Sequence, residues 1–259
     1  MPRILLTNDD GYLAEGLGAL AEELSRWSDV VVVAPDRERS GSGRSITLHH
    51  PLRLTALRPA PRPGEWHLVN GTPTDCINLA LHFVLADHPP DLVVSGINHG
   101  LNLGDDVFYS GTVNAACEAR QFGLPAVALS QEPGDRAMTD SARLSALLLR
   151  RLATDGLRPE LLLNVNFPAA EIRGVQVTRL GRRVYRDVVV AKTDPRGQAY
   201  YWLAGKPQWD DAAGNDQEAI LRGFASVTPL QMTGFTDDHA MSELAEELQD
   251  LGLEAVPRE

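Results

Sequence analysis

Residues 30–34 form an unbroken apolar run, four valines and an alanine, that ends in Pro35. Because the run does not alternate with polar residues, a strand built from it is buried on both faces, as in a parallel sheet covered by helices. The preceding residues supply the rest of the unit. Residues 4–7 read as a first strand, and Leu17, Leu20, Ala21, Leu24 and Trp27 follow at helical spacing, giving one apolar face. Strand, helix, strand is the β-α-β unit. Further strand-like runs at 91–96, 126–130 and 161–168 are interleaved with helical patterns near 75–85, 112–121 and 141–153. Alternation of this kind predicts an α/β fold with a doubly wound parallel sheet.

Two stretches depart from the pattern. Between 46 and 71 the spacing predicts short strands at 46–48 and 52–54, a turn rich in proline (Pro59, Pro61, Pro63, Gly64) and a strand at 66–69, together a β excursion from the main sheet. Beyond about residue 173, β-prone segments at 175–177, 184–190, 200–203 and 226–228 are separated by polar spacers, as in antiparallel hairpins. Open strand edges find partners. Residues 182–210 are therefore expected to form an extension used in oligomerisation, with a flap over the same subunit as the alternative. An amphipathic helix is expected at 242–253. The division that follows is an α/β core over 1–180 and a hairpin-rich extension with a C-terminal helix over 181–259, in which strand 224–230 returns to the core.

Charge and composition exclude several classes. The net charge of −11, from 35 acidic residues against 24 Lys and Arg, is unlike that of a protein that coats nucleic acid. It leaves a nucleotide substrate open, since local arginines and a metal can meet a phosphate. The opening Met1-Pro2-Arg3 and its brief apolar run are too short for a signal peptide, and no stretch approaches the ~18 apolar residues of a membrane span. A soluble, cytoplasmic protein with no nucleic-acid or membrane partner is the expectation. Cys76 and Cys117 have neither a CxxC partner nor a histidine at ligand spacing, and are read as buried free thiols.

Four loops carry candidate chemistry, each just after a predicted strand. The first is Asn8-Asp9-Asp10-Gly11. It is a good turn sequence, but it also delivers two adjacent carboxylates to the carboxyl end of a buried strand, where ligands bind in open α/β sheets. Side-by-side negative charges call for a cation or ample water, and hard oxygen ligands favour magnesium, manganese or calcium over zinc. In the second, residues 37–45, Ser40 offers a neutral oxygen and the Ser/Gly backbone can face an anion. The third, residues 95–104, holds Asn98, whose amide oxygen is a neutral ligand for a hard metal; Asn102 lies further from the strand end, and His99 reads as a loop histidine. The fourth, Tyr109-Ser110-Gly111-Thr112-Val113, opens a helix, so Ser110 and Thr112 are N-cap candidates and the helix start is a phosphate site.

These residues carry a family resemblance. Thr7-Asn8-Asp9-Asp10-Gly11, Ala34-Pro35-Asp36-Arg37 with Ser40-Gly41, residues 71–76, Ser95-Gly96-Ile97-Asn98 and residues 109–113 look like SurE, the stationary-phase survival protein family of metal-dependent nucleoside monophosphate phosphatases. Residues 165–168, 201–202 and 226–230 fit its later blocks, and Asn114 and Cys117 depart mildly from the pattern. The resemblance implies a Rossmann-like core and a β extension with C-terminal elements exchanged in homodimers or homotetramers. It implies 5′- and 3′-nucleotidase activity with some action on short polyphosphate. It places one divalent cation, Mg2+ or Mn2+, on Asp9, Asp10, Ser40 and Asn98. Asp9 and Asp10 are then the catalytic residues, Asp9 being the candidate proton acceptor, and Asn98, Ser110, Gly111 and Thr112 contact the nucleoside monophosphate.

Two rivals lack their residues. A signalling receiver needs Asp at the third strand end and Lys after the fifth, where Ser95 and Ser130 stand. A haloacid-dehalogenase-type phosphatase needs Asp-x-Asp, whereas Asp9 and Asp10 are adjacent. The GxGxxG and GxxxxGK[ST] fingerprints are absent.

Overall fold

The computed structural model describes residues 1–186, 189–203, 206–209 and 213–232. The helix expected at 242–253 lies outside them. The chain opens with β1 (Arg3–Thr7), α1 (Glu15–Leu24) and β2 (Asp29–Pro35), followed by β3 (Leu54–Ala56), β4 (Glu65–Val69) and α2 (Pro73–Leu79), which runs on into a π-helical turn (Ala80–Val84). Next come β5 (Leu92–His99), a 3-10 turn (Gly104–Phe108), α3 (Gly111–Gln121), β6 (Ala126–Gln131), α4 (Met138–Asp155) and β7 (Leu162–Phe167). The last part holds β8 (Gly174–Val177), β9 (Arg183–Arg186), β10 (Val189–Thr193), β11 (Ala199–Leu203), β12 (Lys206–Trp209), α5 (Asp216–Leu221) and β13 (Phe224–Pro229).

The main sheet has the order β3-β4-β2-β1-β5-β6-β7-β13-β8. From β4 to β7 every neighbouring pair is parallel. Strand alternation sends successive side chains to opposite faces. Ile4 and Leu6 therefore join Leu17, Leu20 and Leu24 of α1 and Ala142 and Leu149 of α4. Leu5 points the other way, to Cys76 and Ile77 of α2 and Val113, Ala116 and Ala119 of α3. Two apolar layers enclose the central strands, which is why residues 30–34 carry no polar residue.

Local signals set the helix starts. Thr72 caps α2 by a reciprocal box: its hydroxyl accepts from Asp75 N at 3.1 Å, and its own N–H donates to Asp75 Oδ2 at 2.8 Å. Pro73 at the first turn lacks only a donor that would have no helical partner. Trp27, at helical spacing in the sequence, lies beyond the end of α1 and packs, partly buried, against the core.

Several expectations need correction. Residues 46–48 form no strand: Thr47 is held by Asp75 through its N–H (3.0 Å) and hydroxyl (2.6 Å), while Ile46 and Leu48 are exposed. The short strand near 52–54 falls instead at Leu54–Ala56, antiparallel to β4. β5 continues past Gly96 to His99, its register on β6 shifting between Ser95 and Asn98, so Asn98 is a strand residue and not a loop residue. After residue 173 the pairing is mixed. β13 runs antiparallel to β7 and parallel to β8, so both extend the main sheet, while β9–β12 and β10–β11 are separate antiparallel ladders. Cys76 is buried as expected; Cys117 is only partly so. Among the described residues no helix is long and apolar enough to cross a membrane.

Candidate active site

β1 is flanked by β2 on one side and β5 on the other, so the connection order reverses between β1 and β5. A crevice opens outside the carboxyl ends at such a switch point. Asp9 and Asp10 follow β1, Asn98 is the penultimate residue of β5, and the loop after β2 carries Ser40.

The turn after β1 is fixed by its own side chains. Asn8 Nδ2 donates to the Gly11 carbonyl at 2.9 Å. Gly11 sits at φ +92°, and a Cβ there would stand 2.9 Å from the Arg37 carbonyl carbon, so glycine is required where this turn meets the loop after β2. Arg39 N–H donates to the Asp9 carbonyl at 2.7 Å and Tyr12 N–H to the Pro35 carbonyl at 3.0 Å. The turn reading of Asn8-Asp9-Asp10-Gly11 holds, and the turn is what presents the two carboxylates.

Asp9 is buried, and its Oδ1 accepts a hydrogen bond from the Thr112 hydroxyl. Burial pushes its carboxyl above the ordinary range; the Thr112 hydrogen bond opposes this and the neighbouring charge of Asp10 reinforces it. Asp10, half-buried, is also raised by burial, against the His99 N–H that donates to its Oδ2 at 3.0 Å. Two carboxylates whose ionised forms are disfavoured by burial and proximity stand where a cation would relieve both.

The remaining candidates divide by what already engages them. The Ser40 hydroxyl is exposed and donates to Glu38 Oε1 at 2.9 Å, which leaves its lone pairs for another donor or a metal. Asn98 commits its amide nitrogen to the Gly100 carbonyl at 2.9 Å, which turns its carbonyl oxygen away from that contact. Asn102 belongs to a buried network: its N–H donates to Asn166 Oδ1 (2.8 Å), its amide to Ser130 Oγ (2.8 Å), and its carbonyl accepts from Asn164 (2.8 Å) and Asn166 (3.1 Å). Ser110 caps α3, its Oγ accepting from Val113 N at 3.1 Å. Thr112 has its hydroxyl on Asp9, so it bears on the carboxylate directly. Gly111 lies against Asp9 so closely that a Cβ would stand 2.8 Å from both Asp9 Cβ and Oδ2.

Sequence reasoning missed three features of the site. The Thr112–Asp9 bond spans 103 positions, and no local pattern announces it. His99, expected only as a loop histidine, meets Asp10 through its backbone N–H. Ser42 Oγ is buried without a hydrogen-bond partner, 2.7 Å from where a Gly111 Cβ would stand. Gly111 at the first position of a helix was the available signal that a backbone there is closely approached.

Among the described residues there is no group of three or more His, Cys, Asp or Glu arranged to hold a metal. The expected ligands include only two carboxylates; the others are a hydroxyl and an amide oxygen. That all-oxygen donor set, with unpartnered buried oxygens on Asn8 and Ser42 close by, fits a hard divalent cation.

Fold and site define an α/β protein with paired carboxylates at the switch point of its sheet. The family model described as "Survival protein SurE" matches residues 4–187. The chain is similar to the 5′-nucleotidase SurE of Syntrophotalea carbinolica, 51% identical over 234 residues, covering 88% of this chain and 91% of that one. It is 49% identical over 237 residues to the 5′-nucleotidase SurE of Geobacter metallireducens, covering 89% and 91%. The crystal structure of the SurE protein from Aquifex aeolicus matches with a TM-score of 0.80 at 37% identity, covering 96% of this chain and 100% of that one. The chain belongs to the SurE family.

Proposed function

We propose that the protein is a metal-dependent phosphatase that hydrolyses nucleoside 5′- and 3′-monophosphates to nucleoside and phosphate, with short polyphosphate as a further substrate. The observation that carries the reading is the buried Asp9, joined to Asp10 at the sheet's switch point and pressed against the start of α3. One Mg2+ or Mn2+ per subunit would be held by Asp9, Asp10, Ser40 and Asn98, and when bound it supplies Lewis acidity and a water of lowered pKa. Thr112 fixes the Asp9 rotamer through Oδ1. In this reading the Asp9 carboxylate is the acceptor for the proton of the attacking water. Ser110, Gly111 and the first N–H groups of α3, at the positive end of its dipole, receive the phosphate oxygens, and Asn98 orients the phosphate from the other side.

We read residues 1–180 as the catalytic core and 181–259 as the extension that joins subunits into a homodimer or homotetramer with C-terminal elements exchanged. The exposed Tyr201, Trp202 and Leu203 of β11 support this reading. Phosphate release from AMP, GMP and 3′-AMP in the presence of Mn2+ tests the activity. Release abolished by EDTA and restored by added metal is the expected result; release from no nucleotide, or release indifferent to EDTA, overturns it.

A further inference from the structure

Phe108 and Tyr109 are 66% and 72% exposed, two adjacent aromatic side chains directly before Ser110. Exposed aromatics on a loose loop would mean little, but this turn is tied from several directions. Asn114 donates its amide to the carbonyls of Val107 (3.0 Å), Phe108 (3.2 Å) and Ser110 (2.9 Å). Tyr109 N–H and Ser110 N–H both donate to the Asp106 carbonyl, at 3.0 and 3.1 Å, and Gly43 N–H donates to the Tyr109 carbonyl at 3.0 Å. The same turn is therefore anchored to the helix start and to the loop that carries Ser40. Asn114, one of the mild departures from the family pattern, is the residue that pins it.

We propose that Phe108 and Tyr109 form the platform on which the nucleobase stacks, with Asn114 as the positioning residue that holds it. The proposal rests on the nucleotidase reading of the site. A nucleotide whose phosphate meets residues 110–112 carries its base only one sugar away, and residues 108–109 are the adjacent segment. Stacking suits a site of broad base tolerance, because every base presents a π face and no hydrogen-bond pattern is demanded.

The test compares AMP with ribose 5-phosphate, the same phosphoester without the base, on the wild-type full-length protein, F108A/Y109A and Y109F, by kcat/KM and by calorimetric binding. The wild type is expected to favour AMP by about tenfold, a single base stack by the usual scale. F108A/Y109A should bring the ratio near unity, chiefly through KM, and Y109F should keep it. A merely structural role would lower both substrates together and leave the ratio intact, which overturns the proposal, as does a wild type that does not distinguish the two. A wild type that binds AMP in preference to ribose 5-phosphate but hydrolyses neither sinks the nucleotidase reading and leaves the platform standing.

Discussion

Gly111→Ala is the sharpest probe of how the site is built. A methyl group at this position would stand 2.7 Å from Ser42 Oγ and 2.8 Å from both Cβ and Oδ2 of Asp9. Carbon contacts are optimal near ~3.5–4.0 Å, so something must move. The Ser42 hydroxyl can turn aside; Asp9 Cβ moves only with the backbone of the turn after β1. Overpacking of this kind costs about 1–3 kcal/mol. Displacing Asp9 from Thr112 gives up a hydrogen bond to a charged group, about 1.5–3 kcal/mol. Alanine returns up to ~1 kcal/mol of helix propensity over glycine. The net is a destabilisation of about 1.5–5 kcal/mol, or a Tm lowered by roughly 3–20 °C in a chain of this size. Activity should fall further than stability, because a misplacement of about 1 Å at a reacting group costs on the order of a hundredfold. The assay is thermal unfolding alongside Mn2+-dependent release of phosphate from AMP at a temperature where the variant is folded. Gly123→Ala is the control: Gly123 has φ +80° with no atom within 4 Å of a built Cβ, so alanine there costs backbone strain of ~1–2 kcal/mol and leaves hydrolysis unchanged. A Gly111→Ala protein as active as the wild type would refute the reasoning.

Asp75→Asn keeps an acceptor oxygen for Thr47 N but replaces the Oδ2 that accepts from Thr47 Oγ1 and Thr72 N with an NH2 donor, and should lower stability by about 3 kcal/mol, read as a lower urea midpoint at unchanged slope. Asp216 is raised by burial, against the N–H groups of Gly104, Gly181 and Gln217. A carboxyl raised in the folded state contributes stability that is present below its unfolded value and lost as pH rises through the folded one. The stability of the wild type relative to Asp216→Asn should therefore be greatest below pH ~4 and decline toward neutrality, as measured by urea unfolding across that range. Burial holds the Cys76 thiol well above its usual range and pushes Cys117 up to about 11, so neither should react with a thiol reagent at pH 8 until the protein is unfolded, when both should titrate.

Much of the core was legible because its signals are local. Strand alternation splits Ile4 and Leu6 from Leu5 and sends them to opposite faces, and the apolar run after Asp29 gives β2 its observed bounds. What escaped depends on distant partners. Residues 46–48 have strand-like composition, but their hydrogen bonds go to a carboxylate 28 positions away at Thr47. β8 and β13 read as hairpin strands, yet they pair parallel to each other because β13 inserts between β7 and β8. In the site, the acidic pair announced itself as a strand-end turn, while Thr112 was legible as a helix-start residue and a phosphate contact but not as the partner of Asp9. Its bond to Asp9 exists because the sheet brings β1 and the start of α3 to one crevice, and short-range spacing carries no record of that.

Anomalous diffraction from crystals grown with Mn2+ tests the central claim most directly. The account predicts one strong peak per subunit with oxygens of Asp9, Asp10, Ser40 and Asn98 within about 2.5 Å, the reach of hard oxygen ligands. A peak held by other residues, or no peak in a preparation whose hydrolysis of AMP depends on manganese, would contradict it.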